Sequence, residues 1–300
     1  MSIRIATFNV ENLFARYRFR EGREALASTG FGINDLAFDI FEDDSKRVTA
    51  KAIKEVAADV LALEEVESIG VLERFNSAYL ASMKYKYRML IDSHDPRFID
   101  VAVLSRYPFG RIRTHRDERN KTNTTWLFSR DCLVVDVLIN GKTLRLYVNH
   151  FKSMMEGRDE TKDRRVEQVE RVKEIVNDDW QDQDWEGNFV VLGDFNDYED
   201  PKTSLRALLK HPQLVNVVRR ISPADEQLTH FYSGGGEYRQ LDYLLLSKAL
   251  AEASPGPPAI MRKGLPFRAE HYTGPRFEEV GENEPKASDH APVAMEINLI

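Results

Sequence analysis

The 300-residue chain is predicted to fold as a four-layer α/β/β/α sandwich, with two mixed, mainly antiparallel sheets face to face and helices outside. Three observations predict it. Nine short apolar runs end abruptly in polar residues, whereas four segments carry the spacing of amphipathic helices. Asn140-Gly141, set between two alternating runs, supplies the positive backbone angles of a tight turn, so antiparallel pairing is required. No internal repeat and no linker interrupts the chain, so residues 1–300 are read as one domain.

In chain order, strands are expected at 3–10, 60–63, 87–91, 101–104, 133–138, 144–148, 189–192, 241–246 and 292–298. Helices are expected at 46–58 behind a Ser45 cap, at 69–81 behind Ser68, at 163–177, and at 202–210 after Pro201. Three stretches follow neither period. Residues 16–44 are too long for an ordinary connection and read as an excursion with a lid or specificity role. Residues 152–162 are polar and follow His150. Residues 253–288 hold six of the twelve prolines and are expected to wrap the surface before the last strand.

The composition, 42% hydrophobic and 30% charged without long single-sign blocks, is that of a chain that folds. A formal net charge of −7 excludes a uniformly basic nucleic-acid coat protein. It leaves room for an enzyme that meets phosphates in one groove. The single cysteine, Cys132, lies in an apolar run and reads as a buried structural thiol. The N-terminus alternates like a strand and no run reaches membrane-spanning length, so a cytoplasmic protein is expected, with secretion open if a signal was removed; a monomer is expected as well.

Function is written at the strand ends. Apolar runs terminate in Asn9-Val10-Glu11-Asn12, Glu64-Glu65, Asn149-His150, Asp194-Phe195-Asn196 and Ser288-Asp289-His290, and another begins at Asp242. Strand ends gathered at one rim of a sandwich would bring these groups together. Asp, Glu and Asn oxygens suit Mg²⁺, Mn²⁺ or Ca²⁺, whereas Zn²⁺ favours Cys and His sets that are sparse here. Such ions and donors absorb the charge that builds when water attacks a phosphate ester, while a nearby carboxylate takes the water's proton.

These blocks, in this order from Thr7 to Val293, resemble the endonuclease/exonuclease/phosphatase superfamily with its DNase I-like fold, and the variety around Asn149-His150-Phe151-Lys152 resembles bacterial nucleases. The resemblance implies a metal-dependent phosphoric ester hydrolase. It implies that Glu11, Glu65 and Asp289 place Mg²⁺, with Mn²⁺ or Ca²⁺ as alternatives. Glu64 stands where the family usually has Gln, which leaves two adjacent carboxylates as candidates for one ligand. Asp194 would activate water, Asn9 and Asn196 would hold the phosphate or the water, and Asp242 would orient His290. His150 and His290 would supply donors to the phosphate. Lys152, Arg130 and Arg165 are expected to bind substrate, and Gln168 sits in a similar context.

Nucleic acid, DNA or RNA, is the expected substrate. Small phosphoesters or lipid headgroups on the same site are the alternative, and a binding module without catalysis is a third reading. Residues 106–130 carry seven basic residues against Asp117 and Glu118, which suggests a phosphate-backbone contact. A charge run is more often a solvated face. Trp126 and Tyr107 in the same stretch suit base stacking or simple core packing.

Overall fold

Alternation along the strands sorts their side chains into three apolar layers, and these layers build the molecule. A computed structural model describes residues 2–19 and 36–300. One six-stranded sheet runs in the order β15 (Ala259–Ile260), β16 (Val293–Asn298), β1 (Ser2–Leu13), β4 (Val60–Val66), β6 (Asp100–Ser105), β5 (Tyr87–Leu90). The other runs β11 (Leu214–Asn216), β14 (Asp242–Ser247), β10 (Asn188–Asp194), β9 (Lys142–His150), β8 (Cys132–Ile139), β7 (Phe109–Arg113). Two ribbons accompany them, β2 (Ala15–Phe19) with β3 (Leu36–Ile40) and β12 (His230–Tyr232) with β13 (Glu237–Arg239). Parallel pairing occurs in β1–β4 and β9–β10, while the remaining named pairs are antiparallel.

Ile3, Ile5, Ala62 and Val103 of the first sheet meet Val135, Leu146, Val190, Leu192 and Leu244 of the second in a shared middle layer. Their sequence neighbours point the other way. Phe8, Leu61 and Leu63 pack on Val48 and Ile53 of α1 (Asp43–Val56) and on Leu72 and Phe75 of α2 (Ile69–Tyr79). Val134, Tyr147, Phe189 and Tyr243 pack on Val169, Val172 and Val176 of α3 (Lys162–Trp180) and on Leu208 and Leu209 of α4 (Arg206–Leu209). The helix α5 (Lys248–Ala253) adds Leu250 and Ala251 to the middle layer. The predicted four-layer sandwich is therefore the observed one. Cys132 is buried as expected.

The local expectations fare unevenly. Asn140 and Gly141 take φ 48° and 83°, and Ile139 pairs with Lys142 across the turn. Ser68 caps α2 by accepting from the Val71 N–H at 3.3 Å. Ser45 does not cap α1. The helix begins two residues earlier, after a left-handed Glu42, and the buried Ser45 hydroxyl donates to Glu284 at 2.7 Å. The helix expected over 202–210 shrinks to α4, because Ser204 gives both its N–H and its hydroxyl to Asp197, at 2.7 and 2.6 Å. Of the excursion at 16–44, residues 20–35 lie outside the described residues, and the remainder contributes the β2–β3 ribbon.

The proline-rich stretch does wrap the surface. Met261, Phe277, Val280 and Ala287 pack in the layer that holds α1, and the Thr49 hydroxyl donates to the Ala287 carbonyl at 2.6 Å. This strap delivers Ser288, Asp289 and His290 to the end of β1. Among the described residues, no helix is long and apolar enough to cross a membrane.

One glycine is indispensable to the rim. Gly193 has φ +131°, and a Cβ there would fall 1.9 Å from the Asn149 carbonyl oxygen of the parallel neighbour β9. Gly193→Ala is expected to lose on the order of 3 kcal/mol of unfolding free energy. Urea denaturation checks this, and a curve superimposable on wild type would refute the steric reading.

Candidate active site

Parallel pairing at the centre of each sheet puts the carboxyl ends of β1, β4, β9 and β10 on one rim, where antiparallel β14 begins and the chain enters β16. Irregularities in the ladder then aim the side chains. Register shifts fall between Asn9 and Leu13 and between Leu63 and Val66, where Glu11, Asn12 and Glu65 take φ 47°, 62° and 66°. The buried Lys46 ammonium braces the first irregularity, donating to the Val10 and Glu11 carbonyls at 2.8 and 2.7 Å.

Asp194 is the hub. Its Oδ2 accepts from Asn9 Nδ2 at 3.0 Å and from Asn196 Nδ2 at 3.1 Å, and its Oδ1 accepts from the Asn196 backbone N–H at 2.8 Å. His150 Nε2 stands 3.5 Å and His290 Nε2 3.7 Å from the same Oδ2. Burial pushes the Asp194 carboxyl up to about 6, with the positive field of His290 opposing and the charge of Asp242 adding to the rise. His290 is oriented from behind, since its Nδ1 lies 2.8 Å from Asp242 Oδ2. Thr229 completes that support by donating its hydroxyl to the same carboxylate oxygen at 2.6 Å.

The two imidazoles are tuned in opposite directions. Burial disfavours charge on both. At His150 it is reinforced by the positive field of Arg130, which holds the ring well below the ordinary range and therefore neutral. At His290 the carboxylates of Asp242 and Asp194 overcome burial and hold the ring well above the ordinary range.

Beside this hub lies a carboxylate corner. Glu65 Oε1 is 3.8 Å from His150 Nε2, and its Oε2 accepts from the Asn12 N–H at 3.1 Å. Glu11 accepts from the Asp289 N–H at 2.8 Å and pairs with Lys286 at 2.7 Å. Burial and then the charge of Asp289 push the Glu11 carboxyl up to about 7 despite Lys286 and Lys46. Glu11, Glu65 and Asp289 all offer the oxygen donors that a hard divalent cation takes, and a cation beside Glu11 and Asp289 would relieve the repulsion between those two. Glu64 points elsewhere. It is fully buried, accepts from the Thr7 hydroxyl at 2.8 Å, and leaves Oε2 without a partner.

The expected cationic contacts are drawn inward. Arg130 is buried and donates to Asp95 at 3.1 Å and to the Phe151 carbonyl at 2.5 Å. Arg165, also buried, donates to Thr161 Oγ1, the Arg158 carbonyl and the Lys152 carbonyl at 2.6, 2.7 and 3.2 Å. Gln168 accepts from the Lys152 N–H at 2.9 Å. Arg165 and Gln168 thus pin the loop after His150, while Lys152 itself lies 2.6 Å from Glu156. Three of the seven basic residues of the stretch are neutralised from outside: Arg106 pairs with Asp59, Arg113 with Asp179 and Arg130 with Asp95. Trp126 has no open face, because His94 stacks on one side at 4.1 Å and the Arg119 guanidinium covers the ring at 3.5 Å. Tyr107 packs against the middle layer.

Sequence reasoning assigned no role to Lys46, Thr229, His230, Ser288 or Lys286. Ser288 lay inside a recognised block and joins its two ends, donating to the Asn9 carbonyl at 2.7 Å and accepting from the His290 N–H at 3.0 Å. The others stand in a helix, a short ribbon and an irregular strap, where no periodicity marks them.

No curated protein sequence matches the chain. Solved structures do. The chain is similar to D. rerio TDP2 complexed with single strand DNA product (14% identity, TM-score 0.61, 99% of each chain covered). It is also similar to the human Nocturnin catalytic domain with bound sulfate anion (16%, 0.61, 100% of this chain and 95% of that one) and to an AP endonuclease from Archaeoglobus fulgidus (16%, 0.61, 99% of each). At these identities the likeness is one of fold. The model of the endonuclease/exonuclease/phosphatase family matches residues 4–270, and the chain belongs to that family.

Proposed function

We propose that the protein is a Mg²⁺- or Mn²⁺-dependent nuclease that hydrolyses phosphodiesters of DNA or RNA. The observation that carries this reading is the buried Asp194 carboxylate, held by Asn9 and Asn196 between two oppositely tuned imidazoles, with Glu65 facing His150 alongside. Glu11, Glu65 and Asp289 would hold a divalent cation, which when bound would supply a Lewis acid for the charge on the phosphate oxygens. Asp194 takes the proton of the attacking water. Asn196 spends both amide hydrogens on Phe151 and Asp194, so it orients the base, whereas Asn9 keeps one N–H for a phosphate oxygen. His290 and His150 present Nε2 towards the same space and donate as charge builds.

Features around the rim support a polymeric substrate. Phe98, Met155 and Tyr232 are 68%, 83% and 53% exposed, on the segment before β6, the loop after β9 and the β12 ribbon. Phe98 also holds φ 55°, a left-handed angle that costs a bulky side chain on the order of 1–3 kcal/mol. Together with the half-exposed Arg97 beside it, this ring suits stacking on a nucleobase. The resemblance in fold to a TDP2 that binds single-stranded DNA supports the same choice.

Asp194→Ala and His290→Ala are expected to lose activity by about 10²-fold or more with the fold intact. The assay compares plasmid DNA, RNA, inositol phosphates and sphingomyelin in Mg²⁺ and in EDTA. Near-normal turnover by both variants would reject these roles, and cleavage confined to the non-nucleic-acid substrates would reject the nuclease. Phe98→Ala is expected to raise KM for single-stranded DNA about fivefold or more while leaving a small diester unaffected. Equal effects on both substrates would remove Phe98 from substrate binding.

Glu64 yields a pH prediction. Burial, then the charge of Asp242, raises its carboxyl well above the ordinary 4.5. Kept protonated, it offers one donor and one acceptor, as the Gln of the family pattern does. A carboxyl that holds its proton more tightly when folded contributes fully at low pH, and that contribution is lost as pH rises past the ordinary value. Glu64→Gln is therefore expected to gain stability over wild type steadily as the pH rises above about 5 in EDTA. Thermal melts that stay parallel over that rise would contradict it.

A further inference from the structure

The neighbourhood of Asp289 differs from the all-oxygen corner formed by Glu11 and Glu65. His230, at the start of β12, forms a lone bridge with His290, and the two rings lie 4.5 Å apart and tilted by 50°. His230 Nε2 is 3.7 Å from Asp289 Oδ2, and His290 Nε2 is 3.9 Å from Asp289 Oδ1. One ligand atom from each of the three residues falls within 4.8 Å of the other two. These separations exceed a hydrogen bond and leave room for donors that share one ion, each about 2.0–2.2 Å from it.

The chemistry of the set is specific. Two imidazoles and one carboxylate form a ligand class that catalytic Zn²⁺ sites use, and nitrogen donors favour Zn²⁺ over Mg²⁺. The Nδ1 of His290 is engaged by Asp242, so Nε2 is its one open donor position, in the carboxylate–histidine–metal arrangement. His230 has a buried Nδ1 without a partner and turns Nε2 to Asp289. Asp289 is one-third exposed, which gives an ion a way in.

We propose that His230, Asp289 and His290 form a second cation site, selective for Zn²⁺-class ions, whose occupation expels the Nε2 proton of His290 to solvent, withdraws the ring from the phosphate and silences the enzyme. The inhibitory consequence rests on the role proposed above for His290, whereas the site itself does not. His230 is the discriminating residue because it takes no part in the hydrolytic steps.

Calorimetric titration of Zn²⁺ into the whole chain at saturating Mg²⁺ tests the site, with Co²⁺ absorption spectra as a second readout. One Zn²⁺ per chain is expected for wild type and for Glu65→Gln. His230→Ala and His230→Asn are each expected to weaken this step at least about tenfold while melting like wild type. Unchanged Zn²⁺ affinity in both His230 variants would overturn the site. In the second arm, Zn²⁺ is expected to inhibit Mg²⁺-supported phosphodiester hydrolysis by wild type and to spare His230→Ala. Equal inhibition of the two would overturn the coupling to His290. A protein that cleaves no phosphodiester refutes the nuclease and leaves the calorimetric arm to decide the site.

Discussion

A carboxylate with almost no exposed surface is costly to keep, and Asp194 is the point on which the rest of this rim depends. Three N–H groups satisfy it, and two imidazoles face it. The bond from Asn9 crosses from the first sheet to the second, so the sandwich must close correctly before Asp194 acquires its partners. Gly193 permits the close approach of β9 and β10 that sets Asp194 opposite His150. Removing any of these elements would leave an unpaired charge in the interior, a larger penalty than the loss of one ordinary hydrogen bond.

Around that hub, supports are layered so that each reactive group is held by a residue that does not itself reach the cleft. Thr229 fixes Asp242, which fixes His290. Lys46 braces the irregular strand at Glu11. Arg130 and Asn196 both donate to the Phe151 carbonyl, directly after His150, and Arg165 with Gln168 pins the next residue. Substrate contacts expected of Arg130 and Arg165 are thus replaced by positioning. Arg165 spends its N–H groups on two carbonyls and two hydroxyls, and Arg130 turns its terminal nitrogens to Asp95, Ser129 and the Phe151 carbonyl.

The rim also shows how one set of residue types produces different chemistry. Glu64 and Glu65 are adjacent in sequence, yet one is sealed beneath the site and the other opens onto it. Left-handed backbone at Glu65, together with the register shift beside it, separates their directions. His150 and His290 diverge in the same way, because a guanidinium lies near the first and two carboxylates lie near the second.

By itself, the sequence determined the architecture and nominated the members of the candidate site. Period-two alternation prescribes which side chains face each layer, Asn140-Gly141 prescribes a hairpin, and the blocks at strand ends nominate Asn9, Glu11, Glu65, His150, Asp194, Asn196, Asp242, Asp289 and His290. Local chemistry is sufficient for these, since each depends on neighbours a few residues away. Tertiary structure alone decided which groups are paired. Asn9 meets Asp194 across 185 residues, His230 arrives beside Asp289 from a short ribbon, and Asp59, Asp95 and Asp179 neutralise three arginines of a basic run that looked free to bind phosphate. Pairing is a property of distance in space, to which spacing along the chain is blind, and it is pairing that sets charge, orientation and role.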